Sequence, residues 1–259
     1  MIDITLPQRI TVLSIDIYLY GIFLGLAIAI IYIKLEKSYP DDDLLIPFII
    51  HGLASVVFGR LYYILVNPSY YISYPEQILR VDRGGISIIG VLIGIMLSSY
   101  ILSRVRDHNY FKYLDRVAEI TPIAQTVGRL GNFVNQELFG KPTSLPWGIL
   151  IEKKNRPAEY IENQYFHPLF IYEGILNIIS FYLIKHFSDK NKPYDSTSLF
   201  LINFGIIRLI MNRFRIDNDL FIGMIHVSDI FAILFILTGL MLRNRVRIHE
   251  LLKTIYKRS

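Results

Sequence analysis

The sequence predicts an all-α polytopic membrane protein: seven transmembrane helices and a small head region on the outer side. Three observations carry this expectation. The 259-residue chain is 53% hydrophobic and 19% charged, with a mean hydropathy of +0.40; both values suit a protein that faces lipid. Apolar runs recur at the length of about 20 residues that crosses a bilayer. The longest stretch between them, 136–168, holds Pro142, Pro146, Pro157 and the only tryptophan, Trp147. Residues 1–259 are read as a single integral membrane domain, with 136–168 as its outer loop or head.

The predicted spans are 12–33, 44–66, 85–103, 118–134, 169–187, 197–211 and 223–242. The first is read as a retained span. Met1-Ile2-Asp3-Ile4 lacks the basic region of a cleavable signal peptide. Tyr70, Tyr71 and Tyr74 follow the second span and suit a membrane–water interface. Gly84-Gly85-Ile86-Ser87 before the third reads as a re-entrant turn, without the lysine of a phosphate loop. Gly21 with Gly25, and Gly90 with Gly94, have the small-xxx-small spacing of packed helices. The fourth and sixth spans are short and polar; without them the count is five. Short strands are expected around 147–152.

Orientation follows from the basic loops. With the C-terminus inside, fifteen Lys and Arg fall on the inner side and nine on the outer side. The N-terminus is therefore placed outside. The net charge of +5 is assigned to loops at anionic headgroups, so nucleic acid is not expected as a partner. The absence of cysteine excludes disulfides, thiolate metal ligands and a cysteine nucleophile. No histidine pair has metal-ligand spacing and no nucleophile elbow is present, so neither metal nor cofactor is expected.

The chemistry concentrates in the run from Gly128 to Gly140, Gly-Arg-Leu-Gly-Asn-Phe-Val-Asn-Gln-Glu-Leu-Phe-Gly. Charged and amide groups at membrane depth cost several kcal/mol unless satisfied. Gln125, Arg129, Asn132 and Gln136 share one face if the helix continues through Gln136. Ala124, Gly128, Gly131 and Asn135 form an adjacent stripe of small residues. Arg60, Arg129 and Arg208 lie in three different apolar runs. Three like charges repel unless they share an anion, and guanidinium binds phosphate oxygens bidentately. The alternatives are a polar core joined by interhelical hydrogen bonds and, for Arg60, snorkelling to the interface. His51 lies mid-span; His226 and Asp229 lie one turn apart at the start of the last span.

These motifs resemble the prolipoprotein diacylglyceryl transferase family. The run from Gly128 to Thr143 is similar to the family signature, departing mainly at Gln136, where glycine is usual. Tyr20-Gly21, Gly59-Arg60-Leu61-Tyr62-Tyr63, Gly84-Gly85-Ile86-Ser87 and His167-Pro168 with Tyr172-Glu173 resemble further family motifs in the family's order. Arg208 with Arg215 matches Arg-x-x-x-Glu-x-x-Arg except at Asn212. The family's histidine before the third span is Ile89, its tyrosine before Arg208 is Phe204, and its Gly-Gln motif is Met224-Ile225-His226-Val227-Ser228.

The resemblance implies a seven-span enzyme of the bacterial cytoplasmic membrane, N-out and C-in. It would move the diacylglyceryl group of phosphatidylglycerol to the lipobox cysteine of a prolipoprotein, meeting the acceptor at its signal peptide. It assigns Arg129, Arg208 and Glu137 to catalysis, with His226 or His51 replacing the missing histidine. Arg129, Asn132, Tyr20, Arg60 and Gly140 would bind lipid. Two other functions fit the departures. One is a divergent paralogue that serves another lipid-linked acceptor. The other is a lipid-binding or lipid-transport protein without bond chemistry, since buried arginines also suit transporters.

Overall fold

The computed structural model describes residues 1–4, 6–12, 15–38, 45–80, 85–105, 110–189, 192–216, 221–222 and 225–256. Gly84 and Met224 of the motifs above lie outside the described residues. So do the span ends Leu44 and Gly223 and the loop and tail cations Arg83, Arg106, Lys190, Lys257 and Arg258. The chain divides into two compact units, Leu35–Leu114 and Met1–Lys34 with Asp115–Ser259.

The first span begins later than predicted. β1 (Arg9–Val12) and β2 (Ile15–Tyr18) form an antiparallel hairpin, with Arg9 opposite Tyr18. α1 (Leu19–Ser38) starts only after it. The β-branched residues Ile10, Thr11, Val12, Ile15 and Ile17 favour a pleated strand over a helix. Gly21 and Gly25 face open space, so they form no packed seam among the described residues.

In the unit Leu35–Leu114, α2 (Leu45–Val66) packs along α4 (Ile88–Val105). A side chain at Gly90 would meet the Phe58 carbonyl and lie 2.7 Å from Gly59 Cα; one at Gly94 would lie 2.5 Å from the Ala54 carbonyl oxygen. Close backbone approach therefore requires the glycine spacing seen in the sequence. The short helix α3 (Pro68–Ser73) follows α2 and carries Tyr70, exposed, and Tyr71, buried, with Tyr74 just beyond its end. His51 is buried and its Nδ1 lies 2.7 Å from Ser98 Oγ. Ser98 donates to the Gly94 carbonyl, so the hydroxyl receives the bond from His51.

In the other unit, α5 (Tyr110–Asn135, from Asp115 onwards), α6 (Leu169–Phe187), α7 (Asp195–Asn212) and α8 (Val227–Tyr256) follow in order. α6 is apolar outside and polar inside: Ile175, Ile178, Ile179 and Tyr182 are exposed, while Glu173, Asn177 and Ser180 are buried. That inversion suits a helix with lipid on one side and protein on the other. α7 packs along α8, where Gly205 and Gly239 let the backbones meet. Asp115 on α5 caps α7 by accepting bonds from Thr197 N at 2.8 Å and Thr197 Oγ1 at 2.7 Å.

The 136–168 segment contains β3 (Ile149–Leu150), paired antiparallel with β4 (Tyr165–Phe166), so the strands expected near 147–152 are present. Ile2 adds a parallel bridge to Ile149. Phe139, Ile149, Ile151, Phe166 and Phe170 form a small apolar core beneath. A last hairpin, β5 (Phe221–Ile222) with β6 (Ile225–His226), precedes α8 and occupies the predicted start of the seventh span.

Among the described residues, five helices are long and apolar enough to cross a membrane: α1, α2, α4, α6 and the Val227–Asn244 part of α8. The predicted count of seven is thus met in part. α5 is long, with 26 residues, but carries Asp115, Arg116, Glu119, Arg129 and Asn132. α7 has 18 residues and is interrupted by Asp195, Asn203, Arg208 and Asn212.

Candidate anion site at the end of α5

The site is built where α5 stops. The continuation of the helix through Gln136 is overturned: α5 ends at Asn135, and Gln136 and Leu138 adopt left-handed φ values of 52° and 55°. Gln136 N donates to the Phe133 carbonyl at 3.1 Å and Glu137 N to the Asn132 carbonyl at 3.0 Å. This is a Schellman ending, in which the left-handed residue is usually glycine. Gln136 therefore leaves the face it was expected to share with Arg129. Its Oε1 accepts bonds from Glu152 N at 2.8 Å and Asn155 Nδ2 at 3.0 Å, tying the helix end to the 136–168 segment.

The reversal brings Glu137 back over Asn132. Arg129 Nη1 donates to Asn132 Oδ1 at 3.0 Å, and Asn132 Nδ2 donates to Glu137 Oε1 at 2.8 Å. Arg129 Nη2 also forms an ion pair with Glu173 Oε2 on α6. Glu173 Oε1 in turn lies 3.4 Å from Arg215 Nη1. A continuous chain thus runs Arg215, Glu173, Arg129, Asn132, Glu137. Asn132 and Glu173 are each only 5% exposed. Tyr20 at the start of α1 joins them: a side chain at Gly131 would stand 2.8 Å from its ring.

Backbone stitching explains why Arg215 is present. Gly140 pairs antiparallel with Arg215, its N–H donates to the His167 carbonyl at 2.8 Å, and Lys141 N donates to the Phe214 carbonyl at 2.8 Å. A side chain at Gly140 would lie 2.8 Å from the Phe214 carbonyl oxygen and 3.0 Å from His167 Cβ. Only glycine allows this junction of three segments without displacement. His167 Nδ1 lies 3.1 Å from Tyr172 Oη, which accepts a bond from Trp147 Nε1 at 2.7 Å. Burial lowers the His167 pKa, which favours the neutral imidazole.

The structure brings together Arg129, Asn132, Glu137 and Tyr20, with Gly140 at the adjoining bridge to Arg215. Arg208 is half-buried in the middle of α7, seven residues before Arg215. His226 closes β6, with Phe221 as its register partner. Arg60 belongs to the Leu35–Leu114 unit. Its guanidinium donates to the carbonyls of Gln77, Ile78, Arg80 and Gly85, and it stands over the Tyr71 ring. Ile89 is buried near the start of α4. His51 meets α4 at Ser98, nine residues further on, about 13 Å along the axis.

Sequence reasoning did not assign Glu173 to the site. The available signal was a lone carboxylate in an otherwise apolar stretch of α6, which demands a cationic partner. Chemically, two half-buried guanidinium groups held by one buried carboxylate, with an amide and a phenol alongside, are groups of the kind that can bind a phosphate-type anion.

Residues 7–244 match the family model for prolipoprotein diacylglyceryl transferase. The phosphatidylglycerol–prolipoprotein diacylglyceryl transferase of Clostridium novyi is 33% identical over 242 residues, which cover 91% of this chain and 94% of that protein. The Clostridioides difficile protein of the same name is 32% identical over 237 residues, 89% of this chain and 91% of its own. The Fervidobacterium nodosum protein, also so named, is 32% identical over 192 residues, 72% of this chain and 65% of its own. By the family match and by similarity along most of its length, this chain belongs to the prolipoprotein diacylglyceryl transferase family.

Proposed function

We propose that this chain transfers the diacylglyceryl group of phosphatidylglycerol to the lipobox cysteine of prolipoproteins. The observation that carries the reading is the Arg129–Glu173–Arg215 arrangement beside the family-type signature. The phosphodiester docks on Arg129, with Arg208 and Arg215 adding positive charge. Asn132 and Glu137 hold Arg129 in place, and Tyr20 closes the side against α1.

In the transfer, the cysteine sulfur attacks the glycerol carbon that carries the phosphate. The carbon–sulfur bond forms as the carbon–oxygen bond breaks, and the bonding pair leaves on the phosphate oxygen as glycerol phosphate. The arginines stabilise the charge that gathers on that phosphate. The thiol proton passes to a histidine. His226 is the first assignment, in place of the family histidine that is Ile89 here. His167 is the second, because its environment favours the neutral form and it is stitched to Gly140.

The same reading makes α5 and α7 the fourth and sixth of seven spans. At 1.5 Å per residue α5 is about 39 Å long and α7 about 27 Å, and their polar faces would serve the lipid site. Basic loops then give an N-out, C-in protein in a bacterial cytoplasmic membrane, with 136–168 on the side where the signal peptide presents its cysteine.

The test is transfer from phosphatidylglycerol to a lipobox peptide by membranes holding Arg129→Ala or Arg129→Lys. Losing a buried contact to an anion costs about 2–5 kcal/mol, so Arg129→Ala is expected to abolish turnover while remaining in the membrane. Arg129→Lys should rescue poorly, because the bidentate fork is lost. Normal transfer by Arg129→Ala would remove Arg129 from the mechanism.

A further inference from the structure

Glu173 is the only acidic residue of α6, and it neutralises two arginines of a site built for anions. Any phosphate that docks on Arg129 and Arg215 must therefore share them with a buried carboxylate. We propose that Glu173 is a charge selector, setting the site for a monoanionic phosphodiester and against a dianionic phosphomonoester. The inference rests on the transfer reading above and adds how the product leaves.

The argument is electrostatic. Repulsion between Glu173 and a bound phosphate grows in proportion to the ligand's charge. A phosphodiester carries one negative charge, while a phosphomonoester carries about 1.5 to 2 at pH 7. The same carboxylate therefore penalises the monoester more heavily. In the proposed reaction the substrate is the diester and the departing glycerol phosphate is the monoester. A site with arginines alone would hold its product more tightly than its substrate. Glu173 tilts that balance towards release while keeping both guanidinium groups in place. A carboxylate that only braced the arginines would affect both ligands alike.

The experiment measures equilibrium binding of glycerol phosphate and of glycerophosphoglycerol, a soluble diester, to the full-length protein in neutral detergent at pH 7.5. Glu173→Gln should tighten the monoester relative to the diester by about tenfold. Glu173→Asp, which keeps the charge, should retain the wild-type ratio. An unchanged ratio in Glu173→Gln, or an equal shift in Glu173→Asp, overturns the proposal.

If Glu173→Gln does not fold, Glu173→Ala is measured in its place: it too should tighten the monoester relative to the diester, and an unchanged ratio overturns the proposal. The other groups around the pair, Glu137 through Asn132 and the Tyr20 phenol, are the same in wild type and variant, so the change in ratio between the two reports Glu173. Lipid transfer is assayed on the same preparations. Transfer without the ratio shift sinks the role of Glu173 alone; a wild type that neither binds nor transfers sinks the transfer reading with it.

Discussion

Gln136 shows how one residue can carry a backbone cost and offset it. A left-handed conformation costs a side-chain-bearing residue about 1–2 kcal/mol, and Gln136 adopts it at φ 52°. Its side-chain oxygen recovers two hydrogen bonds, from Glu152 and Asn155, each contributing about 0.5–1.5 kcal/mol. The departure from the glycine usual in the family is thus explained locally. Gln136→Ala keeps the strain and loses both bonds, so it should cost about 1–3 kcal/mol. Gln136→Gly removes the strain as well and should stay within about 1 kcal/mol of wild type. Thermal unfolding in detergent checks both, and a neutral Gln136→Ala would contradict the account. The spacing of Arg129 and Asn132 was readable from the sequence because it is a property of one helix turn. The end of that helix was not, because two left-handed residues without glycine give no signal.

At the scale of elements, α7 and α8 explain another departure. Asn212, where the resemblance expects glutamate, donates to Asp229 Oδ1 at 2.7 Å and to Ser228 Oγ at 2.9 Å. All three residues are buried, and Arg213 lies 3.4 Å from the other Asp229 oxygen. A glutamate at 212 would set two carboxylates side by side, so Asn212 and Asp229 form a matched pair. Asn212→Glu alone should destabilise the protein by about 2–4 kcal/mol. Adding Asp229→Ser should recover most of that loss, giving a coupling above ~1 kcal/mol. Additive effects in denaturation would mean that the two positions are independent. The pairing joins residues 17 apart in the chain across two helices, so no periodicity within either one reveals it. The same limit applied to glycines. The Gly90–Gly94 spacing does pack against α2, while the equally spaced Gly21 and Gly25 face open space.

For the whole molecule, hydropathy located the long helices among the described residues but began the first and the last too early. Two hairpins, at Arg9–Tyr18 and Phe221–His226, occupy the predicted beginnings of the first and last spans. Apolar composition alone does not separate a short hairpin of β-branched residues from the first turns of a helix. The polar helices α5 and α7 were the hardest to read for the reason that makes them informative: their charged and amide groups pair with neighbouring helices. Arg129, Asn132, Glu137 and Tyr20 were legible as a group through the motif. Glu173 and Arg215 became a connected pair only through the fold, since α6 and the segment after α7 meet in space. The central claim is that this arrangement moves diacylglyceryl groups even though Ile89 stands where the family has histidine. The most direct measurement is the mass of a lipobox peptide after incubation with the purified chain and phosphatidylglycerol, with phosphatidylethanolamine as the alternative donor. The account predicts that one diacylglyceryl group is added to the cysteine with phosphatidylglycerol and none with phosphatidylethanolamine. A folded wild type that leaves the peptide unmodified under both conditions would contradict it.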